Sequence, residues 1–357
     1  MLHKDVVHIA FATMDDFYVD YLYVTILSAI INAHKNTYYE FYILVSGNFS
    51  QKTKKRLKYL EKYKKCTLYF VDMKDEFNQS YKTHEHINYA TYYRLLMPQV
   101  LPNVDKCIYL DSDIIVNDDL YSLYNTDIAD YYIAGVRAAG YCSTSKENAS
   151  RLQLPDCNNY INAGAILMNL AKMRKDNLCS KFIKLMSQKY RDQDQDILNV
   201  SCYGKIKIVP VKNNLMTPHC NQYEKFINMG IYTKQEVDEA CKYPMIIHYA
   251  DKTKPWNTPN MIYGNIWWKY AKITPFYKKL KKSLNSSICK ECKQPEQVKT
   301  VLLFSFIPLL KIKKYNRKTQ CLFLSFIPLL EKKEKNNKII YKIFNLLPVL
   351  KCNIKGE

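Results

Sequence analysis

The run VVHIAFA at residues 6–12 is mostly apolar, and the polar residues Thr13, Asp15 and Asp16 follow at its end. A short apolar run that ends at polar residues is typical of a strand buried on both faces of a sheet. Sheets are buried on both faces where helices cover them, as in α/β folds. We therefore interpret residues 6–12 as the first strand of an α/β domain.

Helical and strand patterns alternate along the chain after this first strand. In order, they are a helix at about residues 18–34, the strand FYILV at 41–45, a helix at 52–64, the strand TLYFV at 67–71 and the strand KCIYL at 106–110. Such alternation predicts a mostly parallel sheet with right-handed crossovers, flanked by helices. Because ligands bind beyond the carboxyl ends of parallel strands, Asp15, Asp16 and the residues after Leu110 are candidates for a binding site.

The basic charge of the chain is concentrated in its last quarter. The 357 residues carry a formal net charge of +20, and the segment from Phe276 to Glu357 contains about 19 Lys and Arg residues but only 5 Glu residues. A strongly basic segment predicts an anionic partner for that segment. We therefore divide the chain into a main domain, residues 1–275, and a basic C-terminal tail, residues 276–357.

The tail contains a 20-residue repeat. FSFIPLLK at residues 304–311 recurs as LSFIPLLE at 324–331 and, in degenerate form, as FNLLPVLK at 344–351. Each copy is an apolar segment, too short to cross a bilayer, that is followed by a basic stretch. This pattern suits the surface of an anionic membrane, where each cation contributes about 1 kcal/mol. We expect the tail to bind such a surface; the alternative is a set of small helical hairpins that pack on the main domain or a partner.

The cysteines favour a reducing compartment. Twelve of them are scattered through a long chain, unlike the dense framework of a small secreted protein. The first residues lead directly into a strand-like run without the pattern of a signal peptide. We therefore expect reduced thiols and a cytoplasmic protein.

The sequence Asp111-Ser112-Asp113 follows the buried strand at residues 106–110. Two carboxylates that are two residues apart converge on one divalent cation if the chain turns between them. Two aspartates at a strand end are also common as turn residues. The motif therefore leaves a metal site and an ordinary turn both open.

His248 lies in another strand-like run, MIIHY at residues 245–249, and Lys254 follows it by six positions. A histidine at a strand end is either a metal ligand or a structural hydrogen-bonding residue. A site that combines it with two aspartates favours Mn²⁺ over Mg²⁺, because imidazole is a softer ligand than a carboxylate. Lys254 can neutralise a phosphate as a point charge.

Five features in this order resemble glycosyltransferase family 8, the retaining family that includes bacterial lipopolysaccharide galactosyl- and glucosyltransferases. They are FATMDDFY at residues 11–18, YYRL at 92–95, YLDSD at 109–113, INAGA at 161–165 with NL at 169–170 and DQDILN at 194–199, and finally HYADKTKPW at 248–256. The resemblance spans about residues 6–268. Each feature alone is weak, but five in the same order are specific.

The resemblance implies a GT-A fold and the transfer of galactose or glucose from a UDP-hexose to a saccharide acceptor. The acceptor would be a lipid-linked oligosaccharide such as a lipopolysaccharide or lipooligosaccharide core, at the inner face of a bacterial inner membrane. Asp111, Asp113 and His248 would hold Mn²⁺, with Mg²⁺ as the second candidate. No nucleic-acid partner is expected, because the basic charge lies in the tail and not in a patch of the main domain.

The resemblance also implies roles for individual residues. Asp194 and Gln195 are the candidate catalytic residues, with Gln195 near the anomeric carbon, and no nucleophile is assigned. The implied donor-binding residues are Asp15 against the uracil, Arg94, Ser112, Asn162, Ala163, Asp194, Gln195 and Lys254. Two positions depart from the family, since Asp251 stands where a glycine is usual and Phe17 where an asparagine is usual.

Three other functions were weighed against this one. A catalytically degenerate member of the same fold, acting as a membrane-associated scaffold, is favoured only by Asp251. A phosphotransferase of the haloacid dehalogenase type also uses Asp-x-Asp after a strand, but close to the start of its chain. Nucleic-acid binding is supported by net charge alone.

Overall fold

The computed structural model describes residues 5–13, 16, 18–46, 49–74, 89–291, 297–303, 307–315, 318–323, 327–335, 338–343 and 347–353, with side chains as far as residue 284. Asp15, the predicted uracil contact, and Phe17 lie outside the described residues. The chain divides into two compact units, Met1–Tyr277 and Lys278–Glu357.

The first unit alternates strands and helices. Its strands are β1 (Asp5–Thr13), β2 (Thr37–Val45), β3 (Cys66–Asp72), β4 (Lys106–Leu110), β5 (Ile114–Val116), β6 (Ile133–Arg137), β7 (Ile161–Asn169), β8 (Ile206–Ile208), β9 (Leu215–Met216) and β10 (Ile246–His248). Its helices are α1 (Val19–Asn32), α2 (Gln51–Lys58), α3 (Ala90–Tyr93), α4 (Met97–Val100), α5 (Tyr121–Tyr124), α6 (Ala139–Cys142), α7 (Ser145–Leu152), α8 (Leu170–Lys175), α9 (Leu178–Met186), α10 (Gln193–Ser201), α11 (Tyr223–Asn228), α12 (Lys234–Lys242) and α13 (Gly264–Ala271). Short 3₁₀ turns cover Tyr59–Tyr63, Arg94–Leu96, Val211–Asn214 and Thr217–His219.

The main sheet has seven strands in the order β3-β2-β1-β4-β7-β6-β8. Strands β3, β2, β1 and β4 are parallel neighbours, β7 is antiparallel to both β4 and β6, and β8 is parallel to β6. The predicted mixed, mostly parallel sheet is therefore confirmed. The reversal at β7 places the beginning of β7 beside the end of β4, where Leu110 pairs with Ala165.

Helix α1 is buried on almost every side because it packs against the short strand β5 and helix α13. Its polar side chains hold the chain that follows β4. Thr25 Oγ1 lies 2.9 Å from the carbonyl oxygen of Ser112 and 2.7 Å from that of Ile114. Ser28 Oγ accepts a hydrogen bond from the backbone N–H of Val116 at 2.9 Å. These bonds fix the turn that carries the Asp-x-Asp motif.

A second sheet of three strands, in the order β5-β10-β9, was not predicted from the sequence. Strand β10 is antiparallel to β5 and parallel to β9, and His248 pairs with Ile114. The backbone N–H of Tyr249 donates to the carbonyl oxygen of Asp113 at 3.1 Å. This sheet therefore brings His248 to the Asp-x-Asp turn, although 134 residues of sequence lie between Asp113 and His248.

The second unit contains an antiparallel sheet of six strands in chain order. They are β11 (Gln297–Leu303), β12 (Ile307–Tyr315), β13 (Lys318–Phe323), β14 (Ile327–Lys335), β15 (Lys338–Ile343) and β16 (Leu347–Asn353), and they follow helix α14 (Tyr277–Glu291). Pro308, Pro328 and Pro348 occupy the second position of β12, β14 and β16. Each repeat therefore contributes strands, where the sequence analysis had also allowed helical hairpins. Among the residues that the structure describes, no helix is long and apolar enough to span a membrane.

Candidate active site and metal site

Three side chains that could hold a metal ion converge at the end of β4. One ligand atom each from Asp111, Asp113 and His248 lies within 4.8 Å of the others. His248 Nε2 is 3.4 Å from Asp113 Oδ1 and 3.9 Å from Asp111 Oδ2. The turn after β4 supplies the two aspartates, and the last residue of β10 supplies the histidine.

The donor set fits a divalent cation. Within the described part of the chain, Asp113 Oδ1 is buried and has no hydrogen-bond partner. Burial acts to raise the pKa of Asp113, but His248 and Lys254 hold that pKa below its usual value, so the carboxylate is ionised. A buried, ionised oxygen that faces an imidazole nitrogen is suited to bind a cation.

Gly164 of β7 leaves the space that the side chains of Asp111 and His248 occupy. A Cβ atom at this position would lie 2.7 Å from Asp111 Oδ2 and 2.9 Å from His248 Nε2. Real Cβ atoms do not approach other atoms so closely, so a larger residue would displace both side chains. The sequence analysis included Gly164 in the segment INAGA without giving it this role.

Arg94 links the metal cluster to the predicted sugar site. It is 5% exposed, its Nη2 donates to Asp111 Oδ1 at 2.9 Å, and its Nε lies 2.9 Å from Asp194 Oδ2. Its Nη1 donates to the carbonyl oxygen of Ala163. Burial acts against its charged form, yet Asp111 and Asp194 raise the pKa of Arg94 above its ordinary value. A single guanidinium therefore positions groups from β4, β7 and α10.

The predicted sugar-binding residues lie together beside this arginine. Asn162 Nδ2 and the backbone N–H of Ala163 donate to Gln195 Oε1 at 3.0 and 3.1 Å. Asp194 is 3% exposed, and burial raises its pKa to about 7, although Arg94 acts in the opposite direction. The structure thus brings together Asn162, Ala163 and Gln195 by hydrogen bonds, and Asp194 lines the same cavity.

Two other predicted donor-binding residues have contacts that the sequence did not indicate. Lys254 Nζ donates to Asp113 Oδ2 and to the carbonyl oxygen of Tyr249, both at 2.5 Å. It is therefore an ion-pair partner of an aspartate of the candidate metal site. Ser112 contributes its carbonyl oxygen to Thr25, and it lies between the two aspartates of the turn.

A cavity of about 760 Å³ adjoins these residues. Arg94, Asp111 and Asp194 lie on its wall, and Tyr141, Arg191 and Asp251 line it as well. Its volume is within the range of small-ligand sites, about 300–1,000 Å³. Metal-binding, hydrogen-bonding and ionic groups therefore share one open cleft.

The comparison with family models matches residues 8–259 to glycosyl transferase family 8. The chain belongs to glycosyl transferase family 8. It is 33% identical to a putative glycosyltransferase of Haemophilus influenzae over 249 residues, which are 68% of this chain and 71% of that protein. Its predicted family membership is confirmed.

Relatives with described reactions are also similar to this glycosyltransferase. The lipopolysaccharide 1,2-glucosyltransferase of Escherichia coli is 32% identical over 47% of this chain and 50% of its own length. The lipopolysaccharide 1,3-galactosyltransferase of Salmonella typhimurium is 27% identical over 54% of this chain and 56% of its own length. Each match thus covers about half of the relative.

A solved structure shares the fold. The galactosyltransferase LgtC, in complex with donor and acceptor sugar analogues, is 25% identical, with a TM-score of 0.62 over 75% of this chain and 96% of that chain. The fold of this chain is therefore of the GT-A type, as predicted.

Two buried residues of the candidate site were not predicted from the sequence. Asn214 Oδ1 lies 3.0 Å from His248 Nδ1, and Tyr160 Oη lies 3.3 Å from Gln195 Nε2. Asn214 belongs to a segment without a motif, and Tyr160 directly precedes the motif INAGA but is not part of it. An isolated asparagine or tyrosine looks the same in the sequence whether it is exposed or buried. Only the three-dimensional contacts identify them.

Gly164→Ala should weaken Mn²⁺ binding by at least about tenfold, because the added methyl group displaces Asp111 and His248. Titration of the full chain with Mn²⁺, followed by the electron paramagnetic resonance of free Mn²⁺, measures the affinity. Gly140→Ala is the matched control, since a Cβ there meets nothing within 4 Å. Equal Mn²⁺ affinities for the two variants would contradict the proposed packing.

His219→Phe should reduce the loss of stability in acid. Burial lowers the pKa of His219 from 6.5 to about 4, with His248 acting in the same direction. Between these pH values the unfolded chain binds the proton and the folded chain does not, so stability falls as pH falls. At pH 5 the loss in the wild type is about 2 kcal/mol.

Urea unfolding at pH 8 and pH 5 measures this effect for His219→Phe. The exposed residue His34 provides a control, His34→Gln, which should keep the wild-type pH dependence. An unchanged pH dependence in His219→Phe would show that this histidine is not the source of the acid sensitivity.

Proposed function

We propose that this chain is a retaining, metal-dependent hexosyltransferase that moves galactose or glucose from a UDP-sugar to a saccharide acceptor. The observation that carries the proposal is the convergence of Asp111, Asp113 and His248 beside the cavity that Asn162 and Gln195 line. The lipopolysaccharide glucosyl- and galactosyltransferases that the chain resembles support the choice of donor sugars and of a lipopolysaccharide-type acceptor. The scaffold alternative is not favoured, because all three metal-binding side chains are present and converge.

In this proposal the two aspartates and His248 would hold Mn²⁺, or Mg²⁺ in its place, and the bound cation would supply positive charge for the phosphates of the donor. Lys254 adds a positive charge beside Asp113. Asp194 lies in the cavity wall, and its Oδ2 is ion-paired with Arg94 Nε at 2.9 Å. The Asp194 carboxylate is suited to accept a hydrogen bond from a hydroxyl of the donor sugar, and Asn162 lines the same wall.

Retention calls for a group on the face of the sugar opposite the leaving group, or for attack on the same face as departure. Gln195 is the residue proposed to lie near the anomeric carbon, and its amide is a weak nucleophile. We therefore propose departure and attack on one face through a state with positive charge on the sugar ring. The neighbouring carboxylate of Asp194 would stabilise that charge.

Asp113→Ala should abolish Mn²⁺-dependent release of UDP from the donor, because Asp113 supplies a metal-binding oxygen and holds Lys254. Release of UDP from a panel of UDP-sugars, with Mn²⁺ and with EDTA, measures the activity and identifies the donor. Asp130→Ala, at an exposed aspartate away from the cavity lining, is the control. Turnover near the wild-type rate in Asp113→Ala would reject the metal assignment.

We further propose that the basic tail, residues 276–357, binds the inner face of a bacterial inner membrane. The excess of about 19 basic over 5 acidic residues supports this, together with the three apolar repeats. A lipid-linked acceptor lies at such a surface, so attachment would raise the effective concentration of the enzyme near it. The enzyme would then act from the cytoplasmic side.

A chain that ends at Glu291 lacks all six strands of the tail sheet. We expect it to lose binding to liposomes that contain anionic lipid, while it keeps metal-dependent UDP release. Co-sedimentation at low and at high salt measures the binding, and salt should weaken it for the full chain. Unchanged co-sedimentation of the shortened chain would overturn the membrane proposal.

A further inference from the structure

A buried carboxylate stands at one side of the sugar site. Asp196 is fully buried, and Arg151 donates two hydrogen bonds to it, at 2.6 and 3.0 Å. Tyr160 Oη lies 2.7 Å from Asp196 Oδ1, and the backbone N–H of Asp192 donates to Oδ2 at 3.0 Å. An ionised carboxylate accepts hydrogen bonds and donates none, so the Tyr160 hydroxyl must donate to Asp196.

The direction of this first bond fixes the next one. Tyr160 has one hydroxyl hydrogen, which Asp196 receives, so the Gln195 amide nitrogen donates to Tyr160 Oη at 3.3 Å. Gln195 Oε1 then faces the opposite way. There it accepts from the backbone N–H of Ala163, which can only donate, and from Asn162 Nδ2. Hydrogen bonds at both the nitrogen and the oxygen of the Gln195 amide therefore determine its orientation.

The same logic continues to the metal cluster. Asn162 Oδ1 accepts from the backbone N–H of Gly164 at 3.0 Å and from Asn214 Nδ2 at 2.9 Å. Asn214 Oδ1 therefore faces His248 Nδ1 at 3.0 Å. A carbonyl oxygen only accepts, so Nδ1 carries the hydrogen, and Nε2 is left to bind the metal with its lone pair.

We propose that Asn214 and Tyr160 are positioning residues of one hydrogen-bond chain, which fixes His248 as a metal ligand and the Gln195 amide toward the sugar site. The proposal rests on the proposed function, since it assigns roles in the same site. Asn214 is fully buried and Tyr160 is 2% exposed, so water does not replace a lost partner at either residue. Asn214 determines which ring nitrogen of His248 carries the hydrogen, and Tyr160 determines the orientation of the Gln195 amide.

A change at one residue of this hydrogen-bond chain affects the next residue, because each amide has a nitrogen that only donates and an oxygen that only accepts. If a carboxylate replaces the Asn214 amide, Asn162 Oδ1 loses the hydrogen bond from Asn214 Nδ2. It then faces a carboxylate oxygen, which also only accepts hydrogen bonds. Asn162 can then turn its amide only by presenting Oδ1 to Gln195 Oε1 and Nδ2 to the backbone N–H of Gly164. Both new contacts are repulsive, so a change at Asn214 reaches Gln195 through Asn162.

Two substitutions at Asn214 separate the two functions of its amide. Asn214→Asp keeps an acceptor for His248 and loses the donor to Asn162, so Mn²⁺ affinity should stay within about threefold while kcat for UDP release falls about 10- to 100-fold. Asn214→Leu loses both groups, so Mn²⁺ affinity should also fall about 10- to 100-fold. Asn213→Asp is the matched control, because Asn213 is a buried neighbour that donates to Pro210.

Tyr160→Phe tests the other side of the chain. It should leave Mn²⁺ affinity unchanged and lower kcat about tenfold or more, because Gln195 Nε2 loses its acceptor. Tyr203→Phe is the control, since the hydroxyl of the exposed Tyr203 donates to Asp156 in a bond of similar length, 2.8 Å. Full kcat in a folded Tyr160→Phe, as judged by an unchanged Tm, would remove Tyr160 from the chain.

The measurements use the full chain and two separate readouts, the Kd for Mn²⁺ and the kcat with KM for UDP release. A merely structural role of Asn214 predicts that both variants change the two readouts in parallel with Tm, and that result would overturn the proposal. If the wild type releases UDP from no donor, the proposed function fails. The Mn²⁺ affinities of Asn214→Asp and Asn214→Leu still decide the link to His248 in that case, and equal affinities would reject it.

Discussion

The antiparallel passage of β7 beside β4 is the constraint on which the site depends. Because β7 runs against β4, its first residues lie next to the end of β4, and the N–H of Asp111 donates to the carbonyl oxygen of Gly164 at 2.8 Å. The absence of a side chain at Gly164 lets Asp111 and His248 approach each other. Asn162 and Ala163, immediately before it, contact Gln195. One strand therefore makes room for the candidate metal cluster and also lines the proposed sugar site.

The positive charge of Arg94 links the candidate metal cluster to the proposed sugar site. Asp111 and Asp194 lie on different elements, and their negative charges would repel each other across a poorly solvated cavity wall. The buried guanidinium of Arg94 contacts both carboxylates at 2.9 Å, so one positive charge lies between the two and holds both side chains in place. Arg94 also stacks on Tyr109, 4.1 Å from the ring centroid, so its position is determined by packing as well as by charge.

The sequence predicted the parts of the fold that depend on local patterns. Strands β1, β3 and β4 and helix α1 were predicted close to their observed bounds, because each is a continuous apolar or amphipathic segment, whereas β2 begins at Thr37, four residues before the predicted start. The antiparallel direction of β7 and the second sheet were not predicted, since strand pairing depends on distant residues. The motifs led to Asp111, Asp113 and His248, whereas Asn214 and Tyr160 carry no pattern and act only through contacts made in three dimensions.

Asp113 divides its two carboxylate oxygens between two tasks. Oδ2 accepts from Lys254, whereas Oδ1 is buried beside His248 Nε2 and has no hydrogen-bond donor in the described structure. A cation can therefore bind at Oδ1 without breaking the ion pair at Oδ2. Lys254 in turn donates to the carbonyl oxygen of Tyr249, whose own N–H donates to the carbonyl oxygen of Asp113. Both ends of the loop of residues 249–254 therefore bond to Asp113. The position of Lys254 and the geometry of the candidate metal cluster are thus determined together.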